Sequence, residues 1–154
     1  MNARSLVLAA LGLLLAGCTL PVTRPGPGRL IAQADEMVRA GDYRGAQEAY
    51  RRALSDFPKN PSTDRALFGL ARLYVTPENP GRDYRRAYEN FERLLAEHPE
   101  SVWAGDARAW RDLLSAYLSQ REEAERARQE AQRIRKDLER LKEVEMELER
   151  QRRR

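Results

Sequence analysis

Few side chains in this sequence are able to carry covalent or proton-transfer chemistry. Cys18 is its single cysteine and His98 its single histidine. One thiol allows no intrachain disulfide and no cysteine zinc cluster. One imidazole allows no multi-histidine metal site and argues against a hydrolytic triad. Carboxylates are plentiful, with 24 Asp+Glu against 28 Lys+Arg. They are interleaved with opposite charges, so nothing marks a desolvated pair with split pKa values. No glycine-rich phosphate loop occurs. His98 stands just before Pro99, where a helix must end, and a contact with that helix C-terminus is its expected role. The expectation is a protein without catalytic activity, metal or cofactor. A net charge of +4, clustered only at Arg150 to Arg154, does not point to a nucleic-acid partner.

The thiol is the exception, because of what precedes it. Leu6 to Ala16 is an apolar run broken only by Gly12, after a start that holds one positive charge, Arg4. Such a run is too short for about 30 Å of hydrocarbon, which takes about 20 residues. A basic start, a short apolar stretch and small residues at its end describe a secretory signal. Leu15-Ala16-Gly17-Cys18 resembles the lipobox of bacterial lipoproteins. That resemblance implies a signal peptide over residues 1–17, cleavage before Cys18, and acyl chains on the sulfur and amine of Cys18. Each buried methylene contributes about 0.8 kcal/mol, so three chains hold a protein on a membrane without a spanning helix. The family's sorting pattern, with Thr19 rather than aspartate after the cysteine, implies the outer membrane and its periplasmic face.

The elements that follow are helical. Residues 19–28 read TLPVTRPGPG, a spacer too rich in proline and glycine to bury a core. From Leu30 to Leu118 apolar residues recur at helical spacing, and no stretch alternates as an exposed strand does. All eleven aromatics lie between Tyr43 and Tyr117, which places the core there. Breakers at Gly41-Asp42, Pro58 to Pro61, Thr76 to Gly81 and His98-Pro99 predict helices over 29–40, 43–56, 63–75, 83–97 and 102–118. Past Gly105 there is neither glycine nor proline. The sequence is 34% charged, against about 25% in average chains, and much of that charge lies in the last third, among good helix formers.

These helix pairs resemble tetratricopeptide repeats. In the first unit Ala34 is the small residue of helix A. Gly41 and Tyr43 form the turn, Ala46, Tyr50 and Ala53 lie on helix B, and Pro58 stops it. The alanines allow close helix approach, Gly41 permits a left-handed helix end, and Tyr43 and Tyr50 fill the wedge. Leu30 and Gln33 stand where the family often has a large aromatic and a leucine. The second unit has Leu67, Leu70, Ala71 and Tyr74, then Tyr84, Ala87 and Phe91, then Pro99. Its inter-helix turn is longer than the family pattern. A third helix A with Trp103, Ala107, Trp110 and Leu114 caps the stack. The resemblance implies an all-α fold: a repeat array over residues 29–118 followed by a coiled-coil helix over 119–154. It also implies a peptide-binding groove on the A helices. Its projected positions are Ile31, Asp35, Val38, Arg65, Phe68 and Arg72, and Phe68 among arginines suits an acidic or C-terminal segment.

The tail fits a heptad frame with a at Tyr117, Ala124, Ala131, Leu138 and Glu145 and d at Gln120, Ala127, Ile134, Leu141 and Leu148. Its apolar seam is Ile134, Leu138, Leu141 and Leu148. Position g holds Glu123, Glu130 and Asp137; position e holds Arg128, Arg135 and Lys142. In a parallel pair g meets the next e of the partner, so all three contacts attract. A parallel homodimer, or a partner with similar flanks, is expected.

The expected function is protein–protein interaction in the envelope, with a membrane contact through the lipid. The segment Pro99-Glu100-Ser101-Val102-Trp103-Ala104, with Ala107, is similar to repeat lipoproteins of the outer-membrane protein assembly machine, though those carry about twice as many repeats. The long arm is similar to that of QseG-type lipoproteins that accompany sensor kinases. A passive envelope spacer is a third reading.

Overall fold

The computed structural model describes residues 25–154. Cys18, the signal segment and most of the Pro/Gly spacer lie outside the described residues. Five helices follow one another: α1 (Pro27–Arg39), α2 (Tyr43–Asp56), α3 (Thr63–Val75), α4 (Tyr84–Glu97) and α5 (Ala104–Arg152). No strand occurs among the described residues. Each helix packs on the next, and α1 also touches α3.

Local chemistry sets the helix ends. Gly41 has φ +78°, and the Asp42 and Gly41 amides donate to Met37 O at 2.8 Å and Val38 O at 3.1 Å. This double return satisfies the last carbonyls of α1, and the positive φ is open to glycine at no steric cost. Asp42 then caps α2 by accepting from the Gly45 amide at 2.9 Å. Asp83 caps α4, accepting from the Arg85 and Arg86 amides. The longer turn of the second pair is organised by Asn79, which is buried at 5% exposure. Its Nδ2 donates to Leu73 O and its Oδ1 accepts from the Gly81 amide, both at 2.8 Å.

Small residues mark the helix crossings. Ala34, Ala46, Ala66, Ala71, Ala87 and Ala107 are all fully buried, so backbones approach closely there. Leu67, Leu73, Tyr74, Phe91 and Leu94 fill the space between, each such side chain contributing about 1.5–3 kcal/mol by leaving water. Aromatic contacts link successive helices: Phe68 lies edge-on to Phe91 at 5.8 Å, and Phe91 stacks on Trp110 at 6.2 Å.

Several helix ends differ by one or two residues from expectation: α1 ends at Arg39, α4 starts at Tyr84 and α5 at Ala104. The first helix begins at Pro27 rather than residue 29. Proline suits that first position because its missing N–H is one the helix leaves unpaired anyway. α5 runs through residues 118 and 119 without a break, 49 residues in all, about 74 Å at 1.5 Å per residue. Only packing changes there. Leu118 is the last partly buried residue, and every residue from Ser119 onward is exposed.

Candidate functional site

The groove begins with α1 and α3 lying side by side. Asp35 sits on the exposed edge of α1 and holds two partners. The Tyr50 hydroxyl, from α2, donates to its Oδ1, and Arg65, from α3, donates to its Oδ2 at 2.5 Å. Burial, reinforced by the bond to Asp35, pushes the Tyr50 hydroxyl well above the usual tyrosine range. Tyr50 reaches this position because Gly69 leaves room for it. A Cβ on Gly69 would lie 2.6 Å from the Tyr50 ring.

The far wall is positioned by the link between α4 and α5. The Ser101 hydroxyl donates to Asp64 Oδ2 at 2.6 Å. His98 is the residue that ends α4, its amide donating to Leu94 O at 2.8 Å. Its ring Nε2 lies 2.8 Å from the Thr63 hydroxyl. That hydroxyl gives its own proton to Asn60 O, so Nε2 carries a proton and donates. These ties bind the link to the start of α3 and lay the Trp103 ring over Phe68, with centroids 4.7 Å apart and planes 21° apart.

The result is a groove of about 260 Å³ lined by Asp35, Val38, Tyr50, Arg65, Phe68, Gly69, Arg72, Leu73, Thr76 and Trp103. It brings together five of the six residues projected from the sequence. Ile31 is the correction: it is 1% exposed and belongs to the core, where its apolar side chain contributes more than at a groove surface. Arg65 is engaged by Asp35, whereas Arg72 is exposed and in no ion pair among the described residues. The groove therefore offers the Arg72 guanidinium beside the half-buried Trp103 ring, which covers Phe68, itself 6% exposed and part of the core.

A family model described as tetratricopeptide repeat matches residues 31–76, which run from α1 through α3. These helix pairs are tetratricopeptide-like repeats. Over 85 residues the chain is 34% identical to a Pseudomonas fluorescens (strain SBW25) protein named cellulose synthase operon protein C, and the match covers 55% of this chain. The chain spans 6% of the length of that relative. In the repeat frame, α1 and α3 are the A helices and Trp103 opens the third. The groove thus lies on the A-helix side, where repeat arrays present their extended concave surface.

Sequence reasoning placed Tyr50 and Trp103 in the core and cap, not in the groove, and passed over Gly69. A glycine inside an otherwise strong helix is the signal for Gly69, since it marks a close approach. Elsewhere, the seam residues Ile134, Leu138, Leu141 and Leu148 are all more than half exposed. No group of His, Cys, Asp and Glu among the described residues is arranged to hold a metal ion. No described helix is long and apolar enough to cross a membrane.

Proposed function

We propose that the protein is a non-catalytic adaptor of the cell envelope, anchored by lipid on Cys18 at the periplasmic face of the outer membrane. Its mechanism is tethering: the anchor fixes one end, and the groove or the arm engages another envelope protein at raised local concentration. One observation carries the interaction part of this reading. Arg72, in no ion pair among the described residues, presents its guanidinium next to the Phe68–Trp103 stack. A carboxylate on a peptide would take two N–H donors from Arg72, while an adjacent apolar side chain rests on the Trp103 ring, which Phe68 supports from the core. Asp35 stands at the other side and turns away an anion placed too close to α1. The residues around Cys18 support the anchoring part by their types and order alone.

The experiment is a pull-down from envelope extracts with the wild-type chain and with the Arg72→Glu variant, which leaves the core-packed Phe68 in place. Loss of a wild-type partner from the variant, with its helical content unchanged, is the expected result. An identical partner set in both removes the groove from the mechanism. The 49-residue length of α5 favours a more specific second reading: an accessory lipoprotein of the QseG type whose arm reaches the periplasmic domain of a sensor kinase. In-cell crosslinking from the arm tests it, since that reading requires a kinase among the products. Neither an assembly component nor a passive spacer has an observation of its own in the structure.

A further inference from the structure

Beyond the body the arm carries an apolar stripe that no described residue covers. Ile134, Leu138, Leu141 and Leu148 are between 52% and 65% exposed. The body of the same chain does not cover them. The body is gripped by the face of α5 that carries Ala107 and Leu114, both buried. At 100° per residue Ile134 lies about 200° round the helix from Leu114, and Leu141 about 180°. Tyr84 against Tyr117, centroids 5.0 Å apart, and Arg85 with Glu122 at 2.5 Å, hold the root of the arm to α4. The stripe therefore faces away from the body along a helix whose root is fixed.

The charges beside the stripe are also uncommitted. Glu123, Glu130 and Asp137 flank it on one side, and Arg128, Arg135 and Lys142 on the other. None of the six takes part in an ion pair among the described residues, although Arg150 and Arg153 nearer the end do pair along the helix. We infer that the occupant of this stripe is a second copy of the same chain, lying parallel and in register from Ala124 to Leu148. In that arrangement Glu123 meets Arg128 of the other copy, Glu130 meets Arg135 and Asp137 meets Lys142, each contact occurring twice. An antiparallel pair sets like charges face to face along both flanks. The alanines at 124, 127 and 131 bring the two helices close where they leave the bodies, and Ile134, Leu138, Leu141 and Leu148 close the seam beyond, interrupted at its one polar position, Glu145. The inference is independent of the lipid and of what the groove binds.

The test uses the full chain in mild detergent, with Cys18→Ser so that each introduced thiol is the only one. Ala127→Cys and Leu148→Cys stand on the seam; Glu143→Cys faces outward. In a parallel, in-register pair the Ala127→Cys and Leu148→Cys chains each oxidise to a linked dimer on their own, and the Glu143→Cys chain does not. Disulfides that form only when the Ala127→Cys and Leu148→Cys chains are mixed mean an antiparallel pair and overturn the inference. Absence of any disulfide, or equal linking through Glu143→Cys, overturns it as well. A second arm reads the charges. Glu130→Arg in the Leu148→Cys chain lowers the dimer yield roughly tenfold, and adding Arg135→Glu restores it. If the single reversal changes nothing, the paired flanks do not set the register. Sedimentation equilibrium counts the copies, and a mass above two chains overturns the two-copy arrangement.

Discussion

Tyr50 and Gly69 show how a single side chain decides whether the groove exists. The Tyr50 hydroxyl is tied to Asp35, so its ring has no free path when Gly69 gains a Cβ. Gly69→Ala gains about 1 kcal/mol of helix propensity but costs about 1–3 kcal/mol of overpacking. The expected net is a loss of up to about 2 kcal/mol in urea unfolding, with Arg65 released from Asp35. A gain in stability would mean that the ring moves freely. Tyr50 also predicts a pH dependence. Its folded-state pKa is raised above the ordinary 10.0, so the neutral hydroxyl is the form the fold stabilises. That contribution is whole below pH 10 and is lost as pH rises through the folded value. Tyr50→Phe is expected to cost about 1 kcal/mol at neutral pH and to flatten the alkaline limb of the stability curve. Denaturant midpoints from pH 7 to 11 measure both.

At the scale of elements, α2 and α3 lie on the residues the sequence predicts, 43–56 and 63–75, and α4 starts one residue later. Their caps and breakers are local, and local signals suffice for them. The start of α1 was less legible, because Pro27 and Gly28 read as spacer until the chain that follows is seen to be helical. α5 carries its own prediction. Residues beyond Glu122 are exposed and add nothing to the core, and the Arg85–Glu122 pair is more than half exposed on both sides, which makes it weak. A chain ending at Glu122 is expected to melt with the core transition unchanged, while its mean helicity falls. A drop of several degrees would show that the arm stabilises the body.

For the whole molecule, the reading joins an anchor at one end to an arm at the other, with the repeat body between. Cys18→Ala is expected to abolish palmitate incorporation and to move the chain from the membrane to the soluble fraction, with the helical signal intact. Palmitate labelling that survives this substitution would sink the anchored arrangement. The length of α5 then sets the reach, about 74 Å from its first residue to its last if it stays straight.

The sequence by itself determined the helices, the repeat pattern, the heptad frame of the tail and the presence of a single thiol. Each of these depends on residue type and spacing along the chain: alanines at crossings, a glycine at a turn, charges three and four residues apart. The tertiary structure alone decided which residues meet across helices. Ile31 and Asp35 stand one turn apart on α1, yet one is sealed in the core and the other faces the groove. Tyr50, Gly69 and Trp103 come from three separate stretches and define one site because the helices stack as they do. That Arg65 is spent on Asp35 while Arg72 has no ion pair among the described residues also depends on through-space distance, which no spacing in the sequence encodes.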